Sequence, residues 1–85
     1  MYEVIIKREA LKELKTFPKK ISVFITAAIE HLANEPRPHG CKKLKGAHEN
    51  LWRIKVGDYR VIYLIDDVIR IVNVRKIGNR KDIYY

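Results

Sequence analysis

The spacing of apolar side chains changes several times along the chain, and each change marks an element. Residues 2–7 (YEVIIK) form a short β-branched run that suits a strand, and the next seven (REALKEL) turn to helical spacing with Leu11 and Leu14 on the buried side. Thr16-Phe17-Pro18 reads as a break and a fresh start, with Pro18 in a first helical turn where its missing N–H costs nothing. From there Ile21, Phe24, Ile25, Ala28, Ile29 and Leu32 recur at steps of three and four, the clearest amphipathic helix of the sequence. Two prolines and a glycine within residues 34–40 (NEPRPHG) stop it, and a loop is expected to about residue 49.

Three β-rich runs follow, over residues 51–56, 59–66 and 68–77, separated by Gly57-Asp58 and Asp66-Asp67, each short enough for a hairpin turn. An antiparallel meander is the natural outcome. The predicted fold is α+β in the order β-α-α-β-β-β, with two N-terminal helices packed on one face of a mostly antiparallel four-stranded sheet. No repeat, low-complexity tract or linker interrupts the pattern, and 85 residues support one core, so a single domain over residues 1–85 is expected.

Composition adds charge to this picture. Apolar residues make up 47% of the chain, enough for a folded domain, and 18 Lys and Arg against 10 Asp and Glu give a formal charge of +8. A polyanion is the expected partner. The single Cys41 has no internal disulfide partner, no signal-peptide pattern opens the chain, and no apolar run approaches the roughly 20 residues that span a bilayer. A cytoplasmic protein without a membrane partner is expected.

Strand alternation then sorts the charges by face. Leu51, Arg53 and Lys55 share one side of their strand while Trp52, Ile54 and Val56 take the other, which the helices should cover. Arg53 and Lys55 would stand side by side on the open face, a repulsion that an anion arriving between them relieves. Arg60 is the only charge in the apolar run before Asp66, and it either serves the same face or pairs with Asp58 or Asp66 at a strand end. Beyond the glycine bend at Gly78 come Arg80, Lys81, Tyr84 and Tyr85, which read as phosphate grips and stacking rings, or else as a solvated tail.

Four segments, KLKG at 43–46, LWRIK at 51–55, GDYRVIY at 57–63 and IGNRKDIY at 77–84, together resemble the RelE/ParE superfamily of toxins from toxin–antitoxin pairs, over essentially the whole chain. The resemblance implies a toxin that a cognate antitoxin protein binds and silences. RelE-type members enter the ribosomal A site and cut messenger RNA there, inhibiting translation; the ParE branch instead poisons DNA gyrase without nuclease activity, and it stands here as the alternative. By the family pattern Lys55 matches the general base, Arg60 the arginine that stabilises charge at the scissile phosphate, Arg80 the general acid and Tyr84 the tyrosine that orients the nucleotide. Arg53 falls where some relatives carry a lysine, and as a permanent cation it suits phosphate binding rather than proton abstraction. Lys43, Lys45, Lys81 and Tyr85 complete the expected substrate-binding set, and Tyr85 leaves the functional tyrosine open by one position.

The reaction this implies is attack of a ribose 2′-hydroxyl on the adjacent phosphodiester, for which no metal and no cofactor is expected. A free lysine titrates near about 10.4, so Lys55 becomes a useful base only if Arg53, Arg60 and Arg80 disfavour its ammonium form. Guanidinium barely releases protons, which favours charge stabilisation for Arg80. Some family branches use histidine: His31 reads as a surface residue at a helix end and His39 as a loop residue, while His48, just ahead of the strand at Leu51, is the candidate acid or base.

Overall fold

A computed structural model describes residues 1–46 and 50–81. Its elements run β1 (Glu3–Ile6), α1 (Arg8–Thr16), α2 (Lys19–His31), β2 (Lys42–Lys43), β3 (Leu51–Val56), β4 (Tyr59–Asp66) and β5 (Ile71–Asn79). The five strands lie in the order β1-β5-β4-β3-β2. Only the β1–β5 pair is parallel; the others form the expected antiparallel meander.

The helices follow the sequence closely. Phe17 closes α1 by donating its backbone N–H to Leu14 O, and Pro18 is the N-cap of α2, one residue ahead of the first-turn position expected for it. Ala10 and Leu14 of α1, with Ile25 and Ile29 of α2 and Leu32 at its C-cap, pack on Ile54, Val61, Tyr63, Ile65, Val72, Val74 and Ile77. Two members of the expected buried stripes fall outside this core, since Leu11 and Phe24 are exposed. The inward line of α2 runs Ile21, Ile25, Ile29, so Phe24 is carried to the flank.

Three features of the sheet differ from the sequence expectation. The sheet has five strands rather than four because part of the expected loop pairs as β2, with Lys42 opposite Arg53 and Lys43 opposite Trp52. Gly40, at φ 90, turns the chain toward this edge, and Leu44 N–H extends the ladder by donating to Leu51 O. Two exposed lysines carry no apolar alternation, so nothing in the pattern announces the strand. The last strand begins at Ile71 rather than Val68. Asp66 Oδ1 accepts the backbone N–H groups of Val68 and Ile69 at 3.0 and 3.2 Å, and Arg70 adopts φ 58, which makes a wider turn and leaves Val68 and Ile69 exposed. The β4–β5 register also shifts at Ile62/Tyr63, where Ile62 pairs with Lys76 and Tyr63 with Val74, so Arg75 is the extra residue of a bulge. The bulge resets the alternation so that Val74 and Ile77, three apart, both face the helices.

Loop 34–41 is fastened at the Asp67 end of the sheet. The fully buried Tyr63 donates its hydroxyl to Pro36 O at 2.8 Å. Arg37 makes a two-point pair with Asp67 at 2.8 and 3.2 Å and lies 4.9 Å from the centre of the Trp52 ring, while Tyr2 donates to Asp67 at 2.7 Å. Tyr63→Phe should therefore lower the unfolding free energy by about 1–2 kcal/mol, since the Pro36 carbonyl loses its partner. Ile25→Ala, which empties a fully buried site, should cost about 2–5 kcal/mol. Urea unfolding of both variants checks the order.

Candidate active site

The candidate active face begins with a turn. Gly57 takes φ 61 between β3 and β4, and the hairpin it closes pairs Val56 with Tyr59, Lys55 with Arg60 and Arg53 with Ile62. On the flanks, β2 sets Lys42 beside Arg53 and β5 sets Gly78 beside Arg60. Directly opposite residues share a face, so Lys42, Arg53, Lys55 and Arg60 form one contiguous block on the side away from the helices. Arg80 joins from beyond β5, where its backbone N–H donates to Asp58 O at 3.0 Å and ties the chain to the β3–β4 turn.

This face is less open than alternation alone predicts. Arg53 is only 9% exposed, between Leu51 and Ile62, which are buried outside the main core cluster. Lys55 and Arg80 are exposed and Arg60 is half-buried. Arg60 Nε is buried with no hydrogen-bond partner, and so is Asn73 Oδ1. Pairing of Arg60 with Asp58 or Asp66 does not occur: the ion pair found among the described residues joins Arg37 to Asp67, beyond the other end of β4. The repulsion is felt at Lys55, whose ammonium is held below the usual lysine range by Arg53 first and Arg60 next, with desolvation, Lys42 and Arg80 adding to the effect.

Of the residues expected from sequence, Arg53, Lys55, Arg60 and Arg80 are brought together. Lys43 pairs with Trp52, which alternation assigns to the opposite face, and Lys42 takes the position beside Arg53 that sequence reading missed; only the β2 register could have revealed it. Lys45 and Lys81 are exposed, with the Lys81 backbone N–H held by Asn79 Oδ1 at 3.1 Å. His48, Tyr84 and Tyr85 lie outside the described residues. Trp52, within the family-like motif, is committed to structure, donating Nε1–H to Asn50 Oδ1 at 2.9 Å beneath Arg37. The larger cleft, about 690 Å³ between α1 and β5, carries Glu9 and Glu13 as well as Arg75 and Lys76, so it lacks the uncompensated positive charge of the β3–β4 face. No three His, Cys, Asp or Glu among the described residues gather as metal ligands, and no described helix is long and apolar enough to cross a membrane.

The family profile of the ParE toxin of type II toxin–antitoxin system, parDE, matches residues 4–84. The chain belongs to the RelE/ParE family of toxins. It is 35% identical over 88 residues to the RelE1 protein of Methanocaldococcus jannaschii, covering 98% of this chain and 94% of that one. It is 36% identical over 87 residues to the toxin RelE of Mycobacterium tuberculosis, covering 98% and 86% of the two chains. In structure it is similar to the RelE–RelB complex of Pyrococcus horikoshii, with a TM-score of 0.83 at 29% identity over 96% of this chain and 98% of that one. It is thus a toxin of the RelE type, and Lys42, Arg53, Lys55 and Arg60 cluster on its sheet face away from the helices.

A cluster of like charges that forms no ion pair among the described residues should make this toxin's stability rise with salt. Between 0.01 and 0.1 M salt the screening length falls from about 30 to about 10 Å. Over that range the melting temperature should climb, and Arg60→Gln should climb less because one repelling charge is already gone. Equal salt responses in calorimetry would mean that Arg60 does not feel its neighbours.

Proposed function

We propose that this toxin is an endoribonuclease that cuts messenger RNA in the ribosomal A site, without a metal, and so inhibits translation. The observation that carries the reading is a lysine depressed by two arginines on a face whose described residues offer them no carboxylate partner. Neutral Lys55 takes the proton from a ribose 2′-hydroxyl, and the 2′-oxygen attacks the adjacent phosphorus. The bond to the 5′-oxygen breaks as the new bond forms, leaving a 2′,3′-cyclic phosphate. Arg53 and Arg60 meet the charge that builds on the phosphorane oxygens, where a preformed cation is worth most. Arg80 stabilises the departing 5′-oxygen, which takes its proton from solvent and ends as a hydroxyl. Tyr84, or Tyr85 beside it, supplies a ring for the nucleotide, and Lys43, Lys45 and Lys81 add electrostatic attraction for the RNA strand. His48 is the second candidate acid or base.

The partner that restrains this activity is a cognate antitoxin. The similar solved proteins include RelE–RelB complexes, and a cationic active face suits an acidic, partly disordered chain. Action on ribosomes implies a cytoplasmic site. A second reading, a gyrase poison without nuclease activity, is favoured by the match to the ParE profile. It is separated by a supercoiling assay, in which this toxin should trap no gyrase–DNA complex.

Lys55→Ala combined with Arg80→Ala should reduce messenger cleavage by at least about 100-fold, the low end of what a general base contributes. Primer extension on stalled ribosomes measures this, with circular dichroism as the check on folding; full activity in the double variant would contradict the assignment. The pH dependence has a defined sign. The rate rises as Lys55 loses its proton, and removing a repelling cation by Arg53→Gln lets that proton stay on longer. The rising limb of the pH–rate profile should therefore move to higher pH in Arg53→Gln.

A further inference from the structure

Two histidines that sequence reading set aside as surface and loop residues lie beside the candidate base. A cleft of about 390 Å³ has His31, at the end of α2, and His39, in loop 34–41, on its walls, with Ala28, Pro38, Ile54 and Lys55 among its other lining residues. It opens where it does because β2 pairs with β3 only at Trp52 and Arg53, which leaves the β3 edge uncovered from Ile54 onward. The volume sits at the low end of the roughly 300–1,000 Å³ of small-ligand pockets. Lys55 lines this cleft and also belongs to the cationic block on the far side of the sheet, so the two meet at this residue on the β3 edge.

We propose that this cleft is a nucleobase subsite, in which His31 and His39 hold one unpaired base of the RNA whose phosphate lies among Lys55, Arg53 and Arg60. Apolar walls from Ala28, Pro38 and Ile54 favour a flat heterocycle over a hydrated phosphate. Imidazole rings are among the side chains on which unstacked bases settle, and their N–H groups also reach base carbonyls. Among the described residues no carboxylate lines the cleft to repel the strand that carries the base. The occupant is one nucleotide rather than a peptide because the cleft is short and shares its cation with the phosphate-binding face. Both histidines are exposed and neither belongs to the core cluster, so they are free to serve a ligand.

The subsite rests on the RNA-cleaving reading, and the test separates the two. Short single-stranded RNAs carrying 2-aminopurine at successive positions are titrated with the full chain at low salt, and base stacking is read as fluorescence quenching. One position should quench strongly. His31→Ala with His39→Ala should abolish that quench and weaken binding by roughly 10-fold, within the range found when one base-stacking ring is removed. His31→Phe with His39→Phe, which keeps flat rings, should restore it. Quenching that is equal at all positions, or unchanged in the double Ala variant, would overturn the subsite. Ribosomal cleavage by the wild type is measured in parallel. Cleavage without position-specific quenching removes the subsite and leaves the nuclease reading intact, whereas position-specific quenching without cleavage removes the nuclease reading and leaves a base-binding cleft.

Discussion

The two-residue turn at Gly57-Asp58 sets which side chain of β3 stands across from which of β4, and the candidate active face depends on that register. It puts Lys55 against Arg60 and leaves Ile54 and Val61 on the helix side. A slip of one residue would exchange the faces, burying cations under the helices and exposing the core. The buried pattern on the helix side therefore enforces the charged pattern on the other. Val61, Tyr63, Ile65, Val72, Val74 and Ile77 do not touch chemistry, yet their burial, with that of Ile54, against Ile25, Ile29 and Leu32 is what makes the Lys55–Arg60 pairing unavoidable.

Like charges held by a scaffold have both a cost and a use. The cost is repulsion, which the rest of the fold must outweigh. The use is at Lys55, where Arg53 and Arg60 shift the balance toward the neutral amine that a base requires. Arg53 is well placed for this because it is nearly buried and cannot swing away to water, while Lys55 itself remains exposed to a substrate. The tie from Arg80 N–H to Asp58 O brings a further cation to the same end of the sheet, so one turn organises both the hairpin and the approach of the C-terminal segment.

Much of this was readable in the sequence. Apolar periodicity identified both helices and the meander, and strand alternation together with the family resemblance singled out Arg53, Lys55, Arg60 and Arg80. What escaped has physical causes. β2 is held by backbone pairing alone, so Lys42 and Lys43 gave no alternation to read, and the lysine beside Arg53 was missed. The late start of β5 follows from Asp66 capping Val68 and Ile69, a side-chain event that hydrophobicity hides. His31 and His39 are remote from Lys55 in sequence; the packing of α2 on the sheet carries His31 to the β3 edge, and the path of loop 34–41, fixed by Tyr63 and by the Arg37–Asp67 pair, carries His39 there.

The account turns on one physical quantity, the protonation of Lys55. It is measured most directly by following the Lys55 side-chain resonances through a pH titration in ¹³C-lysine-labelled toxin, in wild type and in Arg53→Gln and Arg60→Gln. The predicted result is a wild-type pKa below the ordinary lysine value of about 10.4 that moves back up in both variants. An ordinary value, unmoved by either substitution, would contradict the claim that the surrounding cations make Lys55 a base.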